Sequence, residues 1–222
     1  MPMDERTKAT VRALLDRHPN GYVAEEAGFT VTNTAAGLFR LLCVSVLADD
    51  SAPGRVAAEG AKALFRKHWD SAPEMAKTGE RERAEVLGQA GYPGAGRASR
   101  LLGEATSLVM DRYHGDLQRL RAAADGDPRR LRALLEEIPG MDDAGCAVFL
   151  REAQMFWPEA APFIDEHAKR AARRLELPTD AEELLEDVAR GRRNEQLAWL
   201  AGALALVDAH NEYDRIRKAI VA

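Results

Sequence analysis

One segment, residues 134–150, constrains the fold of this chain more than any other. It reads LLEEIPGMDDAGCAVFL. An amphipathic run ends at Ile138, a Pro-Gly turn follows, and a second apolar run begins almost at once. Two helices joined by so short a connection must pack against each other as a hairpin. The sequence therefore predicts a helical hairpin whose turn, at residues 139–142, protrudes.

The rest of the chain also favours helix over strand. Alanine, leucine, glutamate and arginine dominate, and they are good helix formers. No segment alternates apolar and polar residues for long enough to predict a strand. With 222 residues, 46% of them apolar, the chain can form one large or two small domains. We predict an all-α protein of about ten helices, with an extended connection over 18–33. The predicted helices cover 5–17, 34–48, 53–68, a short stretch after Ser71, 96–112, 115–125, 128–137, 142–156, 165–175, 179–190 and 194–219.

Several classes of protein and of site are excluded by what the sequence lacks. No apolar run approaches the roughly 20 residues that span a bilayer, and the N-terminus lacks the form of a signal peptide. We therefore expect a cytoplasmic protein, nucleoid-associated if bacterial, with no membrane partner. Cys43 and Cys146 lie in apolar helical patterns, so both are predicted to be buried, and two cysteines cannot form a four-thiolate iron–sulfur site. No histidines and cysteines stand at metal-ligand spacing, so no metal and no cofactor are predicted.

The hairpin resembles the helix-hairpin-helix of the endonuclease III DNA glycosylase superfamily, whose turn has the form L-P-G-V-G. Here the turn reads IPGMD at 138–142. Downstream, residues 163–170 read FIDEHAKR, which resembles that family's V-D-T-H-x-x-R segment. The two segments have the family's order and separation. The resemblance covers roughly residues 38–176.

This resemblance implies an endonuclease III-like arrangement of two helical lobes, with DNA and an extruded base in the cleft between them. The continuous lobe would cover 53–150 and end in the helix-hairpin-helix at 131–156. The second lobe would combine 1–50 with 155–222 and carry the catalytic aspartate. We expect the protein to act as a monomer.

The resemblance also implies an activity, the excision of a damaged or mismatched base from double-stranded DNA in base excision repair. Asp165 matches the family's catalytic aspartate, which can stabilise a sugar cation and activate water. The alternative is that Asp165 only caps the helix that begins at Glu166. Ala144 stands where bifunctional members have their Schiff-base lysine, so we expect a monofunctional glycosylase without lyase activity. The sequence does not identify the base.

The predicted DNA contacts lie in the two matching segments. In the hairpin these are Pro139, Gly140, Met141 and Asp142, where backbone amides at a helix N-terminus can bind a phosphate. Downstream, the resemblance places Lys169 and Arg170 near DNA. The hairpin departs from the family at Asp142, which replaces a glycine and is followed by Asp143. Carboxylates there cap the helix but repel a phosphate.

Charge leaves two further hypotheses open. The formal net charge is −5, which argues against DNA unless a local basic face exists. Three clusters could each be such a face or an ordinary solvated helix surface: Lys169–Arg174, Arg129–Arg132 and Arg190–Arg193. The alternatives are a helix-hairpin-helix DNA-binding protein without catalysis and a helical protein-interaction module. Tyr113, Trp157 and Phe163 could stack on a base or fill the core.

Overall fold

The fold is helical throughout the part of the chain that is described. The computed structural model describes residues 5–19, 22–48, 54–188 and 193–221. None of these residues lies in a β-strand, so the predicted all-α class is confirmed. None of the described helices combines the length and the apolar character that a membrane span requires. The α-helices are α1 (Glu5–Arg17), α2 (Val23–Glu26), α3 (Ala35–Leu47), α4 (Gly54–Phe65), α5 (Ala72–Met75), α6 (Glu80–Gln89), α7 (Ala95–Tyr113), α8 (Leu117–Ala123), α9 (Pro128–Glu136), α10 (Asp143–Ala153), α11 (Glu166–Arg174), α12 (Ala181–Val188), α13 (Arg193–Ala209) and α14 (Tyr213–Val221).

The chain divides into two compact units. The continuous unit is Val23–Phe149, and the discontinuous unit combines Met1–Tyr22 with Leu150–Ala222. Residues 23–48 therefore belong to the continuous unit, whereas the sequence analysis assigned 1–50 to the other lobe. The reason is that α2 and α3 pack against α4, and α3 also packs against α7 and α8. The boundary predicted at 50–53 lies outside the described residues.

Helix α3 forms the centre of the continuous unit. Nearly all of its residues are buried, as its strongly apolar sequence predicts. The hydroxyl of Thr34 caps this helix by accepting a hydrogen bond from the amide of Gly37 at 3.1 Å. At its other end, the Tyr92 hydroxyl donates to the carbonyl of Leu47 at 2.6 Å. These contacts fix α3, on which the predicted hairpin rests.

The discontinuous unit is built on the packing of α11 against α13. Ala168, Ala171 and Ala172 of α11 are fully buried in one apolar cluster with Leu200 and Leu204 of α13. Alanine allows the two helices to approach closely because its side chain is a single methyl group. Helices α1 and α14 contribute to the same cluster. One face of α11 is therefore fixed in the core, and its opposite face is left to solvent.

Three elements differ from the prediction. The connection that was predicted to be extended over 18–33 contains the short helix α2. The single helix predicted over 194–219 is in fact two helices, α13 and α14, because Asn211 adopts a left-handed conformation with φ 51°. The reversal lets Tyr213 and Ile216 reach the core. Helix α6 has no counterpart in the prediction. Its buried residues are Arg83 and Leu87, so its apolar period is too weak to be seen in the sequence.

Candidate nucleic-acid interface

Asp165 is the residue on which a catalytic role depends, and the structure places it at the start of α11. Its Oδ1 accepts a hydrogen bond from the amide of Ala168 at 2.8 Å, which makes it the N-cap of that helix. Its Oδ2 forms an ion pair with Nη1 of Arg151, near the end of α10. The side chains of Asp165 and Arg151 are only 3% and 4% exposed, respectively. Both carboxylate oxygens are thus engaged within the protein.

The segment before Asp165 is also held in place. The Gln154 side chain accepts a hydrogen bond from the amide of Phe163 at 2.9 Å and donates one to its carbonyl at 2.9 Å. Gln154 is fully buried. This pair of bonds ties the connection between α10 and α11 to the end of α10. The cap that the sequence analysis gave as the alternative role of Asp165 is therefore present, together with a buried ion pair that it did not foresee.

Two glycines, Gly140 in the turn and Gly145 in α10, allow the hairpin to lie close to α3 and α7. Gly140 has a positive φ of 84°, and a Cβ there would lie 2.8 Å from Cγ1 of Val46. A Cβ on Gly145 would lie 2.8 Å from the backbone carbonyl oxygen of Ser45. Because real Cβ atoms do not approach so closely, only glycine fits at both positions. These glycines serve helix packing within the protein.

Met141 is one of the predicted DNA contacts, and the structure buries it. Its side chain is buried at 3% exposure, and its amide donates to the carbonyl of Ile138 at 3.0 Å. The Met141 side chain is therefore part of the hydrophobic core. Pro139 and Gly140 are half-buried, and Asp142 is exposed.

The start of α10, where a phosphate was predicted to bind, carries acidic side chains. Oδ1 of Asp142 accepts a hydrogen bond from the amide of Gly145 at 3.0 Å. The next carboxylate, Asp143, is 95% exposed and lies 2.6 Å from Nη2 of Arg132. Nε of Arg132 in turn lies 2.7 Å from Glu136. A protein carboxylate thus takes the capping position that an anionic ligand would use, and a nearby arginine is already paired.

The two cysteines and Ala144 supply no reactive nucleophile. Burial raises the pKa of the Cys146 thiol to about 12, and burial also raises the pKa of Cys43. Such thiols remain protonated and inert. Ala144, at the position of the lyase lysine, has only a methyl group to present. Within the described ranges, no group of three or more His, Cys, Asp or Glu side chains has an arrangement that could hold a metal ion.

Helix α11 carries basic side chains on its outward face. This basic face consists of Lys169, Arg170, Arg173 and Arg174, and the exposed carboxylate of the same helix is Glu166. Nζ of Lys169 lies 2.9 Å from Glu166, and Nη2 of Arg173 lies 3.9 Å from it. The hydrogen bond from Lys169 lowers the pKa of Glu166. With four cations to one carboxylate, α11 itself presents a net positive surface.

A second set of contacts connects α11 to α13 and α14 through Asp208, whose side chain is 10% exposed. Oδ2 of Asp208 lies 2.6 Å from Nδ1 of His167 and 3.1 Å from Nε of Arg170. Oδ1 accepts a hydrogen bond from the hydroxyl of Tyr213. Burial alone would raise the pKa of Asp208, but the hydrogen bonds from Tyr213 and His167 and the charge of Arg170 lower it. The guanidinium of Arg174 stacks on the Tyr213 ring at 4.6 Å.

Three residues of this region were not predicted from the sequence: Arg151, Asp208 and Tyr213. A signal existed only for Arg151, a charged residue that directly follows the apolar run 146–150. Asp208 and Tyr213 were assigned to one continuous helix, so nothing in the sequence indicated that both side chains lie next to α11. Of the three aromatic residues considered for base stacking, Trp157 and Tyr113 are buried in the core. Phe163 is half-buried.

Comparison with known proteins finds no family model that matches this chain and no curated protein with significant similarity to it.

Proposed function

We propose that this protein binds duplex DNA through the basic face of α11 and does not excise bases. The observation that carries the proposal is the arrangement of α11, whose alanine side is buried and whose outer side presents four cations. Lysine and arginine that neutralise phosphates release counterions, and this term supplies most non-specific affinity for DNA. A helix fixed in the core holds these charges in place, which lowers the ordering cost of binding.

Asp165 is the reason that we propose no base excision. A carboxylate that stabilises a sugar cation must lie against that sugar, but both oxygens of Asp165 are engaged by Ala168 and Arg151. The acidic start of α10 places the DNA contact on α11 instead of the hairpin. The proposal therefore keeps Lys169 and Arg170 as DNA-binding residues and leaves out the hairpin residues.

Charge removal on α11 tests the binding surface. The double variant Lys169→Ala/Arg173→Ala removes two cations at positions where alanine is a good helix former. The matched control is Arg66→Ala/Lys67→Ala, which removes the same two residue types from exposed positions in the continuous unit. Binding of a lesion-free duplex is measured by fluorescence anisotropy over a range of salt concentrations.

The α11 variant should bind about tenfold more weakly near 0.1 M salt, and the slope of log K against log salt should fall by roughly 1.8, since each lost phosphate contact removes about 0.9. The control should stay close to the wild-type protein. Equal losses in both variants would mean that only net charge matters. Absence of duplex binding by the wild-type protein would overturn the proposal and favour a protein-interaction module.

Base excision is the second candidate, because Asp165 caps the same helix that carries the basic face. It is tested in single-turnover reactions on duplexes that each contain one defined lesion or mismatch, with alkali added to cleave abasic products. We expect that no lesion-containing duplex is cleaved more than the lesion-free duplex. Cleavage of a lesion-containing duplex by the wild-type protein, above that of the lesion-free duplex, would establish the glycosylase instead. With Ala144 at the lyase position, borohydride should then trap no covalent adduct.

A further inference from the structure

We infer that His167 and Arg170, both held by Asp208, form a binding site for a backbone phosphate of DNA, and that this site strengthens when His167 is protonated. The inference rests on the proposed DNA binding by α11 and names the contact that regulates it. The residues belong to α11, α13 and α14, which all lie in the discontinuous unit.

The geometry of α11 brings the cationic side chains into one row. His167, Arg170 and Arg174 are spaced i, i+3 and i+7, so they lie on one face of the helix. At about 1.5 Å of rise per residue, the row extends over roughly 10 Å. The side chain of His167 is 57% exposed and that of Arg170 is 50% exposed. Both can therefore reach a ligand while one edge of each stays bound to the protein.

Asp208 orients these two side chains. Its Oδ2 is 2.6 Å from Nδ1 of His167 and 3.1 Å from Nε of Arg170. The Tyr213 hydroxyl bonds to Oδ1 and so fixes the carboxylate itself. A binding site whose side chains are already ordered loses less conformational entropy when the ligand arrives.

The same carboxylate determines the tautomer of His167. An ionised carboxylate can only accept hydrogen bonds, so Nδ1 of His167 must carry the proton that it shares with Asp208. The contact between Nδ1 and Nη2 of Arg170 at 3.2 Å is then between two donors. Nε2 has no hydrogen-bond partner among the described residues and is unprotonated in the neutral ring. Protonation adds an N–H donor at Nε2 without disturbing the bond to Asp208.

Protonation also changes the charge of the site. The charged and titratable groups that contact His167 are Asp208 from α13 and Arg170 from its own helix, and Tyr213 from α14 reaches it through Asp208. With a neutral His167, the charges of Arg170 and Asp208 cancel. With a protonated His167, the site carries one net positive charge. Low pH favours the protonated form of a histidine, so DNA affinity should rise as the pH falls.

The test measures duplex binding at about pH 5.5 and about pH 8. The wild-type protein should bind more tightly at the lower pH, by up to about tenfold near 0.1 M salt, as expected for roughly one additional phosphate contact. His167→Gln should bind weakly at both pH values, and His167→Lys should bind tightly at both, since lysine keeps its charge. His114→Asn is the control. His114 is an exposed histidine of the continuous unit with a left-handed φ of 53°, a conformation that asparagine tolerates.

The pH dependence of the control should equal that of the wild-type protein. If His167→Gln retains the wild-type pH dependence, the inference is wrong even though DNA binding stands. If the wild-type protein binds no duplex at either pH, the proposed function fails instead. A loss of affinity in His167→Lys at the higher pH, relative to the wild-type protein, would show that the position does not contact phosphate and would also overturn the inference.

Discussion

The helices α10 and α11 begin with the same local motif. Asp142 accepts a hydrogen bond from the amide of Gly145 at 3.0 Å, and Asp165 accepts one from the amide of Ala168 at 2.8 Å. In both cases an aspartate caps an amide three residues further on, as aspartate commonly does at a helix N-terminus. Both positions were also predicted to take part in binding or chemistry on DNA.

The surroundings of the two caps differ. At α10 the neighbouring pair of Arg132 and Asp143 is largely in solvent, with side chains 37% and 95% exposed. At α11 the pair of Arg151 and Asp165 is almost completely buried. An exposed ion pair contributes about 0–1 kcal/mol, whereas breaking a buried pair by removing one partner costs about 3–5 kcal/mol. The local motif thus determines that the helix is capped, and burial determines how much stability is lost when the carboxylate is removed.

The largest effect is expected for Asp165→Asn. Asparagine can still cap α11, but it leaves Arg151 as a buried cation whose Nε already lacks a hydrogen-bond partner. The free energy of unfolding should fall by about 3 kcal/mol, as measured by urea denaturation. The double variant Arg151→Met/Asp165→Asn should recover much of this loss, because no unpaired charge remains. A loss below about 1 kcal/mol would mean that this pair behaves like the exposed one.

A smaller effect is expected for Gly145→Ala in the first turns of α10. The new Cβ would lie 2.8 Å from the carbonyl oxygen of Ser45, so the backbone of one helix must move. Overpacking of this kind costs about 1–3 kcal/mol. Gly96→Ala in α7 is the control, since a Cβ there has no atom within 4 Å and alanine favours helix by up to about 1 kcal/mol. Equal stability of the two variants would contradict the close approach of α10 and α3.

Asp142→Ala removes the exposed cap and should lower the free energy of unfolding by about 1 kcal/mol, while Asp142→Gly should lower it by only a few tenths. Since the proposed DNA contact is on α11, duplex affinity should not change in either variant. If the hairpin does touch DNA, Asp142→Gly should tighten binding at low salt, because a like charge near a phosphate is removed. Anisotropy titrations at two salt concentrations separate these outcomes.

Arg132→Gln is expected to have the smallest effect, at most about 0.5 kcal/mol, because both of its carboxylate partners are solvent-exposed. The small loss should disappear as salt is added, since ions screen exposed charges. Thermal denaturation at low and high salt measures this. A loss of stability comparable to that of Asp165→Asn would show that the difference in exposure does not explain the difference between the starts of α10 and α11.

The helical class and most helix positions could be predicted because they depend on local patterns. Leu131, Leu135 and Ile138 repeat at helical spacing, and all three are buried. Helix α6 was missed because a buried arginine takes the place of an apolar residue. The break between α13 and α14 was missed because Asn211 stands in a run that otherwise keeps a helical period.

The candidate site was predictable only in part, since its residues come from segments far apart in the chain. The sequence by itself determined that Asp165 begins a helix, because capping needs only an amide three residues away. It also determined that Lys169 and Arg170 lie in a basic cluster. The tertiary structure decided that Arg151 takes the other oxygen of Asp165, and that Asp208, 41 residues from His167, orients it. Burial and long-range ion pairs arise when helices pack, and no spacing within a single helix encodes which charges will then be enclosed.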